Sequence, residues 1–315
     1  MTDPRDGRLS RAPDASPDRL DRVLRTLRPE LSWTALRDLI ARGKVLVDDR
    51  VVTDAGWPVP GGVEVVIEVG RRRVPAAETA AALDAERLVL VDRHVVVVDK
   101  PSGVDTAVFV ARDRAHERAA RASIDPSAAT LEQLAGRAVG GPLRVVHRID
   151  RDTTGLVMFA RTEDAERSLT HQLRRHSVHR RYLALAHGAV EARTIESHLA
   201  DDRGDGLRGS TPNQRVGKRS ITHVEVVRRL RGATLIACRL ETGRTHQIRI
   251  HLAEAGHMLL GERGYTREHV GPPLDAPRIM LHAAELGFEH PADGAPRRFE
   301  SPLPGDFQAL LDALA

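Results

Sequence analysis

Between Val145 and Ala160 the chain reads VVHRIDRDTTGLVMFA, a polar knot from His147 to Gly155 set between a Val pair and an apolar run. Asp150 lies there between Arg148 and Arg151, and nearby cations keep a carboxylate ionised. An ionised carboxylate on a loop fixed by two strands can act as a base or as a nucleophile. A polar turn, with Asp and Thr bonding the local backbone, uses the same residue types, so the pattern alone leaves both readings open.

A second segment, LETGRTHQIRIHLAEAGHMLLGERGY from Leu240 to Tyr265, supplies a cation. Thr245 reads as a helix cap, His246 to Ala255 as the helix and Gly256 as its C-terminal stop. Ile248, Leu252 and Ala255 share the apolar face, which places Arg249 beside a buried stripe. A guanidinium so near a core needs a paired anion. His246, His251 and His257 offer metal-ligand atoms, but helical histidine pairs favour i, i+4 and these do not have it. Cys238 is the single cysteine, which excludes an intrachain disulfide and a cysteine zinc cluster. A third segment is His179-Arg180-Arg181-Tyr182, in which Tyr182 is either a platform for stacking a base or a core aromatic with its hydroxyl at the surface.

The elements that position these groups follow from periodicity. Strands are expected at Leu88 to Val91 and Val95 to Val98 about a turn at Asp92-Arg93, then at Gly155 to Ala160, Tyr182 to Ala186, Thr222 to Val227 and Thr234 to Leu240. Helices are expected at Thr130 to Ala138 and Glu163 to Arg175. Strands and helices do not alternate strictly, so the pattern predicts a mixed α+β domain over residues 88–315, not a parallel doubly wound one. Asp201 to Gly217 has no period and reads as an exposed loop.

Upstream, residues 1–15 read as a disordered leader. Ser16 and Pro17 then open a helix with Leu20, Val23, Leu24 and Leu27 on one face, stopped by Pro29. Ser32 caps a second helix with Leu36, Leu39 and Ile40, ended by Gly43. Val45 and Val47 begin a strand, Asp48 and Asp49 supply a turn, and Val63 to Val69 reads as another strand. Arg19, Arg22, Arg37 and Arg42 fall off the apolar stripes. The basic and Ala-rich residues 71–87 read as a linker after a domain of residues 16–70.

Composition sets the outer bounds. A chain of 315 residues suggests two folded units, and 41% hydrophobic with 29% charged residues excludes disorder over most of the length. The 48 basic groups, nearly all arginine, against 44 acidic ones leave a net +4, weak evidence by itself for a polyanionic partner. No apolar run approaches the roughly 20 residues of a membrane helix and no signal region precedes the first helix, so a cytoplasmic protein is expected.

Residues 16–70, carrying RLDRVL and LSWTALRDLIARGKVLVDDRVV, resemble the S4 RNA-binding domain, in which such positions as Arg19, Arg22, Arg37 and Arg42 face RNA phosphate. From residue 88 on, five blocks in order, VVDKPSGV, HRIDRDTTGL, RRYLALAHG, LETGRTHQIRIHLAEAGHMLLGE and RIMLHAAELGFEHP, resemble the RluA-type pseudouridine synthases. That resemblance implies a mainly antiparallel catalytic domain that isomerises uridine in RNA without a cofactor or metal. It implies Asp150 as the catalytic aspartate, Tyr182 as the tyrosine against the uracil, Arg249 as the aspartate's partner and Arg148 as the side chain that fills the gap left by the flipped base. RNA contacts are expected at His147, Arg151, Thr153, Arg244, His246 and Gln247, and Ile248 and Leu281 are candidates for enclosing the base. Ribosomal RNA is the expected partner ahead of tRNA, with no membrane and no obligatory protein partner. Thr154 stands where Ser is common, Glu262 where Asp is more usual, and Asp105 to Ser127 departs from the family pattern.

Overall fold

A computed structural model describes residues 7–12, 15–16, 18–48, 50–52, 55–69, 83–107, 129–203 and 207–315. They divide into two compact units, one before residue 70 and one made of residues 83–107 and 130–315.

In the first unit, β1 (Gly7–Ser10), β2 (Asp18–Arg19), α1 (Leu20–Leu27), α2 (Trp33–Ala41), β3 (Val45–Val47), β4 (Arg50–Val51), β5 (Pro58–Val59) and β6 (Glu64–Ile67) follow in order. The sheet order is β1-β6-β3-β4, all antiparallel, with β2 and β5 paired separately. Leu20, Val23 and Leu24 of α1 and Leu36, Leu39 and Ile40 of α2 bury the stripes expected from their spacing against Val45, Val47, Val65 and Ile67. Ser32 caps α2 by accepting the Ala35 amide, and Gly43 takes the left-handed conformation that ends it, at φ 66°.

Three local expectations need correction. Gly7–Ser10 of the expected leader adds to the sheet edge through β6, where Leu9 packs on the core. The first helix begins at Leu20, not beside Ser16, because Asp18–Arg19 pairs with Pro58–Val59 and holds the chain extended; Pro17 lies outside the described residues. The last strand is two residues shorter at its C-terminal end than Val63 to Val69.

The second unit contains β7 (Leu88–Val91), β8 (Val95–Lys100), α3 (Leu131–Ala138), β9 (Arg144–Val145), β10 (Thr154–Ala160), α4 (Glu163–Arg174), β11 (His179–His187), β12 (Arg193–Ala200), β13 (Gly209–Ser210), β14 (Lys218–Arg229), β15 (Ala233–Leu240), α5 (Gln247–Glu254), β16 (Leu281–Glu289), β17 (Pro296–Glu300) and α6 (Gly305–Ala313). Among the described residues they build one eleven-stranded sheet of order β13-β12-β14-β15-β11-β16-β10-β8-β7, with β17 on β16 and β9 on β10. Only β10 and β16 run parallel. The mixed, mainly antiparallel α+β architecture is the one expected. Apolar strand faces pack on α4 through Ala165 and Leu169 and on α6 through Phe307 and Leu311. Asp201 to Gly217 is not wholly irregular, since Gly209–Ser210 pairs with Leu199–Ala200. No described helix is long and apolar enough to cross a membrane.

The parallel pair explains one glycine. Gly155 has φ 104°, and a Cβ on it would lie 2.3 Å from the Ala283 carbonyl oxygen, where backbone cannot yield. Replacement by alanine adds left-handed strain to that clash. Gly155→Ala is therefore expected to lower the unfolding free energy by at least about 2 kcal/mol, measured by denaturant titration; an unchanged midpoint would refute the tight β10–β16 approach.

Candidate active site

The loop from His147 to Thr153 is held at several points. Nε2 of His147 accepts the Met158 amide of β10 at 3.1 Å. Thr106 Oγ1 donates to the Ile149 carbonyl at 2.8 Å and accepts its amide at 3.3 Å. Lys100, fully buried at the end of β8, donates to the carbonyls of Pro101, Val104 and Arg151 at 2.9, 2.8 and 2.7 Å. Burial pushes its pKa down to about 7 against the opposing pull of Asp152, Asp105 and Asp150. Asp150 is thus mounted on backbone whose polar groups are already satisfied.

Arg249 comes to it from α5. His246 occupies the cap position before Gln247, at φ 59° and ψ 17°, so the cap is not Thr245, and the His246 side chain makes no capping bond. The left-handed turn aims His246 sideways, sharing a 2.7 Å hydrogen bond between Nδ1 and the Tyr265 hydroxyl and bringing Nε2 to 3.9 Å from Asp150 Oδ1. Arg249 Nη1 donates to Asp150 Oδ2 at 3.2 Å. Its Nε and Nη2 donate to Glu262 at 2.7 and 3.0 Å, and its guanidinium lies 5.2 Å from the centroid of the Tyr265 ring. Glu262 also accepts the amides of Arg263, Gly264 and Tyr265 at 3.0, 2.7 and 3.2 Å.

The charges follow from this geometry. Burial would raise the Asp150 carboxyl, but His246 and Arg249 outweigh it and hold its pKa below the usual value. Burial in turn pushes His246 down to about 4, with Arg249 adding to the effect, so at neutral pH Arg249 is the countercharge in hydrogen-bond contact with Asp150. Glu262 drops to about 2 because Arg249 and its backbone donors overcome burial. Burial raises Tyr182, with Arg180 opposing and Asp150 reinforcing, so its hydroxyl stays protonated beside the carboxylate. The result is an ionised, partly exposed carboxylate, its side chain 21% accessible, against a guanidinium that cannot lose its proton.

Of the sequence-predicted residues, the fold brings Asp150, Arg249, His246 and Tyr182 together. Arg148 is exposed on the same loop. Arg151 is exposed and pairs with Asp105 at 2.9 Å, and Thr153 is buried with its amide on the Asp150 carbonyl. Three expectations of RNA contact meet side chains committed inside the protein. Gln247 is buried, its carbonyl accepting from Thr242 and the Arg244 amide and its amide donating to Ile221 and Thr222. His147 anchors β10, and Arg19 is buried against Asp21. Arg37 joins the same Asp21 at 2.8 Å and lies over Trp33, while Arg22 and Arg42 are exposed and pair with Asp18 and Asp38 one helical turn away. A fully buried Asp21 needs these guanidiniums, which the helix period alone does not reveal. Arg244 is exposed, donating from Nε to the Arg219 carbonyl. Ile248 and Leu281 are buried.

Sequence reasoning missed Glu262, Tyr265 and Lys100 as parts of the site. Glu262 was visible only as an acid at a departing position, and its partner lies thirteen residues back on α5. Among the described residues no cluster of three His, Cys, Asp or Glu could hold a metal.

The profile of the family described as RNA pseudouridylate synthase matches residues 94–254, and that of the S4 domain residues 18–65. The chain is 34% identical to ribosomal large subunit pseudouridine synthase D of Zymomonas mobilis, covering 94% of this chain and 93% of that one. It is 35% identical to the protein of the same description from Xanthomonas campestris, over 99% and 95% of the two chains. Human RNA pseudouridylate synthase domain containing 4, a solved structure, shares the fold with a TM-score of 0.55 at 20% identity, over 72% of this chain and 92% of that one.

Three histidines are neutral in the folded state, burial pushing His147 to about 3 and both His246 and His251 to about 4. Unfolded, they protonate near pH 6.5, so between about pH 6.5 and 4 the unfolded chain binds more protons and stability falls as the pH drops. Denaturant titrations from pH 7 to 4.5 are expected to show this decline, with buried His251 contributing up to about 1.4 kcal/mol per pH unit. His251→Gln is expected to flatten the slope; an unchanged slope would mean that His251 is already protonated when folded.

Proposed function

The chain belongs to the RNA pseudouridylate synthase family, and on that premise we propose that it converts specific uridines of large-subunit ribosomal RNA to pseudouridine through Asp150. The single observation that carries this reading is the 3.2 Å contact of Asp150 with an Arg249 that Glu262 holds from behind. The ribosomal substrate rests on the descriptions of the similar bacterial proteins.

Isomerisation breaks the bond from the ribose C1′ to N1, turns the uracil and rejoins C1′ to C5, after which C5 loses its proton to solvent and N1 takes one up. No atom is gained and no redox change occurs, so the reaction calls for no cofactor. An anionic carboxylate serves it by attacking C1′ or by taking the 2′ proton to give a glycal, and both need Asp150 ionised when water is displaced. Arg249 keeps it so. The target base must leave its stack, at a cost of a few kcal/mol that stacking on Tyr182 and insertion of Arg148 offset. Tyr182 remains a neutral hydroxyl, fit to lie against the uracil. Residues 16–70 act as an accessory RNA-binding domain, 71–87 as the linker and 88–315 as the catalytic domain. Exposed Arg22 and Arg42 are the phosphate contacts of that accessory domain. A protein acting on ribosomal RNA in this way works in the cytoplasm.

With RNA tritiated at uridine C5, Asp150→Asn is expected to cut tritium release by at least roughly 100-fold while RNA binding persists. Wild-type turnover by that variant would remove Asp150 from the chemistry. Mapping pseudouridine in cells with and without the gene is expected to show the lost sites in large-subunit RNA; losses confined to tRNA would reassign the substrate.

A further inference from the structure

Strand β11 opens with His179, Arg180 and Arg181, whose side chains split between the two faces of the sheet. His179 and Arg181 point to one face and share Glu285 at 2.9 Å each, where Arg298 joins them. Arg180 points to the other face, the one that carries Tyr182 two residues on. It is 7% exposed, yet no carboxylate among the described residues lies within ion-pair reach. Its Nε is buried without a hydrogen-bond partner, and its one hydrogen bond is a long one, 3.5 Å from Nη2 to the Glu241 carbonyl.

A buried guanidinium without an anion is costly and rare in a folded protein. The surroundings of Arg180 also keep space for it. A Cβ on Gly243 would lie 2.7 Å from Nη1, so the turn between β15 and α5 passes close over the guanidinium, and a larger residue there would push the guanidinium aside. That turn leads directly into His246 and Arg249. The charge of Arg180 is felt by His147 and by Tyr182, which border the Asp150 loop. An unpaired cation therefore sits between the residue proposed to stack the base and the turn that carries the aspartate's partners.

We propose that Arg180 is a substrate-binding residue that receives a phosphodiester group of the RNA beside the extruded nucleotide. The proposal rests on the reading of the site as a uridine-modifying one. Each RNA residue brings one negative charge with paired oxygens, which a guanidinium meets with two parallel hydrogen bonds, satisfying the idle Nε. A uracil carbonyl brings only a dipole and leaves the charge uncompensated. Flipping moves the target nucleotide's own phosphates toward the protein, so this contact forms only when the base is out of its stack and the binding energy helps to hold it there.

The test uses the full-length protein in two arms. In the first, binding to a large-subunit rRNA transcript is measured across salt concentrations. Arg180→Gln is expected to weaken it roughly tenfold and to reduce the slope of log K against log salt by about 1, with Arg180→Lys recovering most of the loss. Unchanged affinity and slope overturn the proposal. The second arm reads the wild-type protein: the Nε–H resonance of Arg180, assigned by its loss in Arg180→Lys, is followed during titration. The dinucleotide UpU, which has one phosphodiester, is expected to shift it, and uridine, which has none, is not. Equal shifts with UpU and uridine, no shift with either, or an equal response to inorganic phosphate alone at the same concentration each overturn it. Failure of the catalytic reading shows separately, as turnover by Asp150→Asn, and leaves the UpU titration untouched.

Discussion

The site depends on one guanidinium shared unequally between two carboxylates. Glu262 takes two hydrogen bonds from Arg249 and three from backbone amides, whereas Asp150 takes one from Arg249. The five donors make Glu262 a fixed anion that Arg249 cannot leave without stranding a buried charge. Asp150 receives enough positive potential to stay ionised and few enough hydrogen bonds to keep an oxygen for other work. Replacing the unequal sharing with an equal one would leave either a mobile cation or a saturated carboxylate.

That arrangement demands that parts far apart in sequence meet to within a few tenths of an ångström. The sheet achieves this by placing β10, which follows the Asp150 loop, between β8 and β16. Lys100 at the end of β8 gathers three carbonyls around the loop, and the close approach of Gly155 to Ala283 fixes where β10 begins. On the other side, β11 and β15 carry Tyr182 and the turn into α5. The left-handed backbone at His246 is a local strain of the kind that persists only where surrounding structure determines it. Its hydrogen bond to Tyr265 and its approach to Asp150 show what the strained turn positions.

The arginines show how far residue type underdetermines role. Arg19 and Arg37 neutralise a buried aspartate, Arg249 is held between two acids, Arg181 shares an acid on the far face of β11, and Arg180 beside it has none among the described residues. Spacing places a side chain on one face of an element, but the partner on the facing element decides whether that side chain is a support or a contact. Gln247 makes the same point for a neutral group: its position next to His246 suggests recognition, and its four hydrogen bonds go to β14 and to the turn before it.

Local rules were enough for the helix pair Leu20–Leu27 and Trp33–Ala41, the Ser32 cap, the Gly43 stop, the apolar strands of the second unit and the assignment to a mainly antiparallel α+β fold. Period, capping and turn chemistry act over a few residues, and ordered motif blocks identified the family and the pair Asp150 and Arg249. The strand at Gly7–Ser10, the short β13 inside a loop without period, the burial of Arg19 and the clasp of Glu262 came only from the fold. The strand, β13 and the Glu262 clasp depend on partners elsewhere in the chain, β6, β12 and Arg249, while Arg19 is buried only because the fold closes over the neighbouring Asp21 and brings Arg37 to it; such pairing energies exist only once the partners have been brought together.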